Sequence, residues 1–262
     1  VENKIMASDT HFKIIVPMYN CETLAIKCID SILNQQYSNW HLIICIEPSD
    51  DNTFNVVVDY LIKLNDKRIS LIKNDVRKGV PRNHKDCIRA SCPNNDDVII
   101  LVDGDDCLHG TDVFSYLDKV YRNDFIWITW GSYKFDHCDK KGLAAVREPV
   151  NDPHRGKRWW RYSHLKTFRF FLFKGIEDKD LRDETTGEYY TVAGDMALMF
   201  PMIEMAGPDH SKYIDKILYV YNQSTPFNDE KIYYPLCKKC DLEIRNKKRY
   251  SVRTKNELIS LD

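Results

Sequence analysis

Between residues 12 and 103, four short runs rich in Ile and Val alternate with stretches of helical periodicity. The runs are FKIIVP (12–17), HLIICIE (41–47), RISLIK (68–73) and DVIILVD (97–103), each bounded by turn-prone residues. Between them lie 22–34, with Leu24, Cys28 and Ile32 on one face, 53–65, with Val57, Leu61 and Leu64, and 82–91. Short, nearly continuous apolar runs of this kind are strands buried on both faces. A βαβαβαβ order packs its helices on both sides of a mostly parallel central sheet, so the fold class is α/β. In such sheets ligands sit outside the carboxyl ends of the strands.

The order loosens after Gly110. The pattern predicts a helix over 112–121, a strand over 125–131 and a long loop around Pro149, Pro153 and Gly156. A basic, aromatic stretch follows (158–176), read as a helix from Ser163, then a helix from about Asp195 with Pro201 as a possible kink. A strand over 214–222 leads into a charged, partly helical tail.

Composition excludes several function classes. A net charge of −1 gives no global attraction to nucleic acid. No apolar run approaches the roughly 18 residues of a membrane span, and VENKIMASDT lacks the apolar core of a secretory signal. A soluble, cytoplasmic protein is expected, although a chain that begins at Val1 can also be an excised domain or a virus-encoded enzyme. The nine cysteines are an odd number, and Cys28, Cys45 and Cys87 fall in expected helices or strands, so no disulfide framework is expected. Cys237 and Cys240 have zinc-ligand spacing but no second pair to complete four ligands.

The last of the four strands runs into acid: DDVIILVDGDDCLHG carries Asp96 and Asp97 at its start and Asp103, Asp105 and Asp106 at its end. Carboxylates so close repel one another, which suggests a cation. The chain contains neither GxGxxG nor GxxxxGK[ST], no GxSxG and no HExxH. An EF-hand starting at Asp103 would need glycine where Leu108 stands and glutamate where Phe114 stands. What remains is Asp103-Gly104-Asp105, an acid-x-acid step suited to Mg²⁺ or Mn²⁺ shared with substrate phosphates. The competing reading of the tripeptide alone is an acidic loop capping the next helix.

Several ordered stretches resemble one family, the GT-A fold glycosyltransferases, especially the large inverting group called family 2. IIVPMYN is similar to its opening strand and turn, SILNQQYSNWHLIICIE to its first helix and second strand. NDVRKGVPRNHKDCIRAS is similar to its N-x-G-x-x-x-A-R-N segment, and VIILVDGDDCL to its signature acid strand. Downstream, AGDMALMFPMIEMAG occupies the place of its E-D motif, and ILYVYNQSTPFND that of the strand and loop that close over the donor. SHLKTFRFFLFKGI resembles a branch that includes bacterial enzymes and giant-virus collagen glucosyltransferases. The resemblance implies a GT-A domain over 1–222, with a donor half at about 12–110 and an acceptor and catalytic half at about 111–222. Residues 223–262 form an extension, which can be solvated or pair two chains as a homodimer.

The implied activity is transfer of a hexose, glucose first, from a UDP-sugar to a hydroxyl with inversion. A glycan or the hydroxylysine of a collagen-like protein is the implied acceptor. Asp103 and Asp105 would hold Mn²⁺ or Mg²⁺, with Asp103 near the ribose or the metal, and Asp195 would be the base that takes the acceptor proton. Donor contacts fall on Pro17, Tyr19, Asn20, Glu47, Lys78, Arg82, Asn83, Asp103, Gly104 and Asp105. Where the family usually has D-D-G-S, this chain has Glu47-Pro48-Ser49-Asp50-Asp51, so the uracil-binding acid is Glu47 first, with Asp50 or Asp51 behind it. Gln223 stands where relatives often carry a metal-binding histidine, which leaves His210 as a weaker candidate. Arg158, Trp159, Trp160 and Arg161 offer cations and rings for an acceptor, a membrane-surface or interface patch, or simply core packing. Rival readings are a non-catalytic sugar-nucleotide or glycan-binding module and a nucleotidyltransferase.

Overall fold

The computed structural model describes residues 9–142, 155, 160–224 and 233–261. Strands β1 (Phe12–Met18), β2 (Trp40–Ile46), β3 (Ile69–Lys73) and β4 (Val98–Leu101) alternate with helices α1 (Ala25–Leu33), α2 (Thr53–Leu64) and α3 (Val80–Ala90). They pair in parallel in the order β3-β2-β1-β4. After β5 (Cys107–Leu108) and α4 (Val113–Tyr121) come β6 (Ile128–Phe135), β7 (Cys138–Lys141), β8 (Lys166–Arg169), α5 (Phe170–Lys174), α6 (Gly194–Ala206) and β9 (Ser211–Tyr221). Helices α7 (Tyr234–Asn246) and α8 (Lys255–Ile259) follow.

The full sheet order is β3-β2-β1-β4-β8-β6-β9-β5, with β7 on β6. The expected parallel sheet is thus the first half; beyond β4 the sheet is mixed, because β8 runs antiparallel to both β4 and β6. Alternation along the central strands sends side chains to two cores. Ile14, Val16, Leu42, Ile44 and Ile100 face α1, α2 and α4, packing on Ile29, Val57 and Phe114. Ile15, Ile43, Ile99 and Leu101 face the other side, where α3, α5 and α6 lie. Cys240 and Ile244 of α7 and Leu258 of α8 belong to that second core.

The stretch expected to be helical from Ser163 is instead a strand followed by a short helix. All four residues of β8 are buried, and pairing on both edges outweighs local preference. The charged ends that hide it as a strand are neutralised internally: Arg169 donates to the carbonyl oxygens of Tyr121 (2.7 Å), Ile126 (3.1 Å) and Asp96 (3.2 Å). Pro149, Pro153, Gly156, Arg158 and Trp159 lie outside the described residues. Trp160 packs edge-on against Tyr162 and Phe200, a core role. Cys237 and Cys240 sit one turn apart on α7, Cys240 buried. No described helix is long and apolar enough to cross a membrane.

Candidate active site

The acid loop leaves the sheet just past β4, pinned on both sides. Gly104 donates its N–H to Pro17 O at the end of β1 (3.1 Å), and Asp103 N donates to the hydroxyl of the fully buried Tyr219 on β9 (3.1 Å). A Cβ on Gly104 would lie 2.6 Å from Met18 Cγ and 2.7 Å from Pro17 O. Glycine is needed here for the crossing of two backbones. The β4–β8 register pairs Leu101 with Lys166. Before β8 the chain bends at His164 and Leu165, and the bend sets His164 beside Asp103. His164 Nδ1 lies 3.8 Å from Asp103 Oδ2. Asp103, Asp106 and His164 each offer a donor atom, all within 4.8 Å of one another. Asp105, the expected metal carboxylate, is outside this trio.

Lys166, buried on the same face as His164, joins the acid loop to α6. Its Nζ is 3.5 Å from Asp195 Oδ2. Asp195 stands in the first turn of α6, where the helix dipole favours a carboxylate, and its Oδ1 accepts from Met196 N (2.9 Å). The cap position itself is Ala193, so Asp195 is not a conventional N-cap. Desolvation raises the pKa of Asp103, opposed by Lys166 and reinforced by Asp195. Asp106 is raised well above the usual carboxylate range by burial and by Asp105 and Asp103. His164 is held well below the usual imidazole range by burial, then by Lys166. His84 of α3 is pushed down to about 3 by the same two causes, in the same order. Burial and neighbouring charges thus set these groups apart from ordinary surface residues.

The other expected contacts gather at the ends of β1 and β2, most of them engaged in bracing loops. Glu47 Oε1 accepts from Lys78 N (2.5 Å) and Gly79 N (3.2 Å), fixing the turn into α3. Asn20 clamps the facing loop: its side chain accepts from Asp50 N (2.8 Å), and its own N–H donates to Ser49 Oγ (3.1 Å). Asp51 accepts from Glu22 N and Thr53 N. The Tyr19 ring carries the Arg77 guanidinium 4.2 Å from its centroid, and Arg77 also lies 3.9 Å from Glu47. Pro17 is half-buried beside them. Lys78 and Arg82 both lean on Asp86, at 2.8 and 3.8 Å. Asn83 points inward: it is buried, and its Oδ1 accepts from Asn74 (2.7 Å). His210 stacks on Trp127 at 3.6 Å, and its Nδ1 lies 2.7 Å from Phe125 O. It is not part of the metal-spaced trio.

Residues 13–187 match the profile of the family described as Glycosyl transferase family 2, well over half of the 262 residues. The chain belongs to glycosyltransferase family 2. It is 36% identical over 150 residues to the putative glycosyltransferase EpsE of Bacillus subtilis, covering 55% of this chain and 52% of that one. It is 28% identical over 121 residues to the UDP-Glc:alpha-D-GlcNAc-diphosphoundecaprenol beta-1,3-glucosyltransferase WfgD of Escherichia coli, covering 46% and 45%. The matches therefore span about half the length of these curated relatives. Among solved structures it resembles S. aureus TarS 1-349 in complex with UDP-GlcNAc (TM-score 0.61, 16% identity, 96% of this chain and 71% of that one). It also resembles the Mycobacterium tuberculosis glucosyl-3-phosphoglycerate synthase in complex with Mn²⁺, UDP and phosphoglyceric acid (TM-score 0.62, 13% identity, 92% and 80%). At these identities the likeness is one of fold, and the GT-A fold expected from the resemblance is the fold observed.

The donor set suits the divalent ion of a family 2 glycosyltransferase. Asp106 is buried; its Oδ1 accepts from Asn222 N (2.6 Å), while Oδ2 has no hydrogen-bond partner among the described residues. An orphaned buried carboxylate oxygen is costly unless a cation or proton meets it. The structure brings three further residues beside the expected ones that the sequence motifs do not mark: His164, Lys166 and Arg77.

Proposed function

We propose that this chain transfers glucose from UDP-glucose to a hydroxyl of a sugar acceptor, with inversion and with a requirement for Mn²⁺ or Mg²⁺. The observation that carries this reading is the charged line Asp103, Lys166, Asp195. It links a metal-side acid to a candidate base through one buried lysine, with Asp195 Oδ2 3.5 Å from Lys166 Nζ. Asp195 takes the acceptor proton as the hydroxyl oxygen attacks the anomeric carbon from the face opposite the diphosphate, so no enzyme nucleophile is needed. When bound by the carboxylates of loop 103–106, the divalent ion supplies Lewis acidity toward the departing diphosphate.

Tyr19, Glu47 and Arg77 frame the place of the nucleotide base, and Lys78 and Arg82 swing from Asp86 toward the donor phosphates. Support for the donor comes from WfgD, a UDP-Glc-dependent glucosyltransferase, and from structural neighbours that hold UDP or UDP-GlcNAc. Support for a sugar acceptor comes from the GlcNAc-bearing lipid on which WfgD acts. Release of UDP from UDP-glucose is measured with Mn²⁺, with EDTA and with Asp195→Asn, over a panel of saccharide acceptors and a hydroxylysine peptide. Turnover only with metal and intact Asp195 supports the proposal. Donor binding without turnover across the panel makes the chain a binding module, and pyrophosphate release from a nucleoside triphosphate makes it a nucleotidyltransferase.

A further inference from the structure

We propose that His164 is a nitrogen ligand of the divalent ion, completing a three-residue site with Asp103 and Asp106. The inference rests on the metal-dependent reading above and assigns that ion's protein ligands.

Three observations carry it. The first is placement: the bend that precedes β8 sets His164 beside Asp103, and one donor atom each from Asp103, Asp106 and His164 fall within 4.8 Å. Donors around an octahedral ion with bonds of about 2.1 Å are about 3 Å apart when adjacent and about 4.2 Å when opposite. The 3.8 Å between His164 Nδ1 and Asp103 Oδ2 is too long for a hydrogen bond and fits two donors that share an ion.

The second is rigidity. The His164 ring lies parallel to Tyr219 at 4.5 Å and near-parallel to Tyr221 at 5.7 Å, with Tyr133 edge-on at 5.7 Å. Three tyrosines on β6 and β9 therefore fix the imidazole plane, as metal sites require of their ligands. The third is Asp106, 3% exposed, whose Oδ2 has no hydrogen-bond partner among the described residues. A carboxylate so deeply buried beside Asp103 and an imidazole is stabilised by a cation or a proton, and Lys166 already faces Asp195. Two oxygens and one imidazole nitrogen favour Mn²⁺ over Mg²⁺, which takes oxygen almost exclusively.

The test reads the metal rather than turnover. Protein with ¹⁵N in its histidine rings is titrated with Mn²⁺, alone and with UDP, and followed by continuous-wave EPR and electron spin echo envelope modulation. The wild type is expected to show a histidine nitrogen coupling to Mn²⁺. In folded His164→Ala the coupling is expected to vanish and the Mn²⁺ dissociation constant to rise by about tenfold or more. The wild-type spectrum needs no variant, and His164→Asn keeps the site polar if the alanine variant fails to fold. Tight Mn²⁺ binding without nitrogen coupling overturns the assignment and leaves metal dependence standing. Coupling that persists in folded His164→Ala or His164→Asn also overturns it. Failure to bind Mn²⁺ with or without UDP overturns both readings.

Discussion

A methyl group added at Gly104 has nowhere to go, because Met18 Cγ and Pro17 O stand closer than any carbon can approach. Gly104→Ala is expected to destabilise the fold by about 1–3 kcal/mol, read as a shift of the urea midpoint. It also displaces the acid loop, so donor affinity falls with it. Asp195→Asn removes the proton acceptor and the ion pair with Lys166, while the Met196 N–H keeps an amide oxygen as its acceptor. Transfer is expected to fall about 100- to 10,000-fold while UDP-glucose affinity stays within about threefold, measured by UDP release and calorimetry. Equal losses in both would make Asp195 a donor-binding residue. Asp103, Gly104 and Asp195 were legible in the sequence because each is announced locally, by an acidic step after an apolar strand or by a helix start. His164 and Lys166 were not, because their neighbours come from segments far apart in the chain. Asn83 is legible in part for a related reason: its motif position shows, but that its amide faces Asn74 is decided by packing.

At the scale of elements, the first three crossovers could be read directly, since the buried strands β1, β2 and β4 carry their own apolar signature. RISLIK, expected to be buried as well, is instead the half-exposed edge strand β3, covered by β2 alone. Strand β8 could not, because its burial comes from β4 and β6 and its two cations look like a surface. The same holds for the far end of the chain, where charge hides contact with the core. Arg155 forks onto Glu204 of α6 at 2.7 and 2.9 Å and donates to the carbonyl oxygens of Ile244 and Lys247 at the end of α7. Both side chains are nearly inaccessible, 2% and 7% exposed. Glu204→Gln strands the guanidinium and is expected to cost about 3–5 kcal/mol in urea unfolding. The paired change Arg155→Met with Glu204→Leu is expected to recover most of that loss. A single variant within 1 kcal/mol of wild type would show that the fork does not hold α7 against α6.

Across the whole molecule, the site combines groups whose ionisation pulls stability in opposite directions, and His84 isolates one of them. It is 2% exposed, both of its ring nitrogens lack partners among the described residues, and burial pushes it down to about 3. In the unfolded chain it titrates near 6.5, so between these values the unfolded state binds the extra proton and stability falls as pH falls. His164 acts with the same sign, whereas Asp103 and Asp106, raised in the folded state, are stabilising at low pH and lose that contribution as pH rises. The net curve mixes these terms, but the difference between wild type and His84→Leu does not. That difference is expected to change by about 1.4 kcal/mol per pH unit from about pH 6 down to about pH 4, with the variant gaining on the wild type. Urea unfolding at half-unit steps measures it, and parallel curves across that window would mean that His84 finds a proton-bound state inside the fold. Because Lys166 contributes to lowering His84, Lys166→Met is expected to shrink the difference, tying α3 electrostatically to the site that Lys166 shares with Asp103 and Asp195.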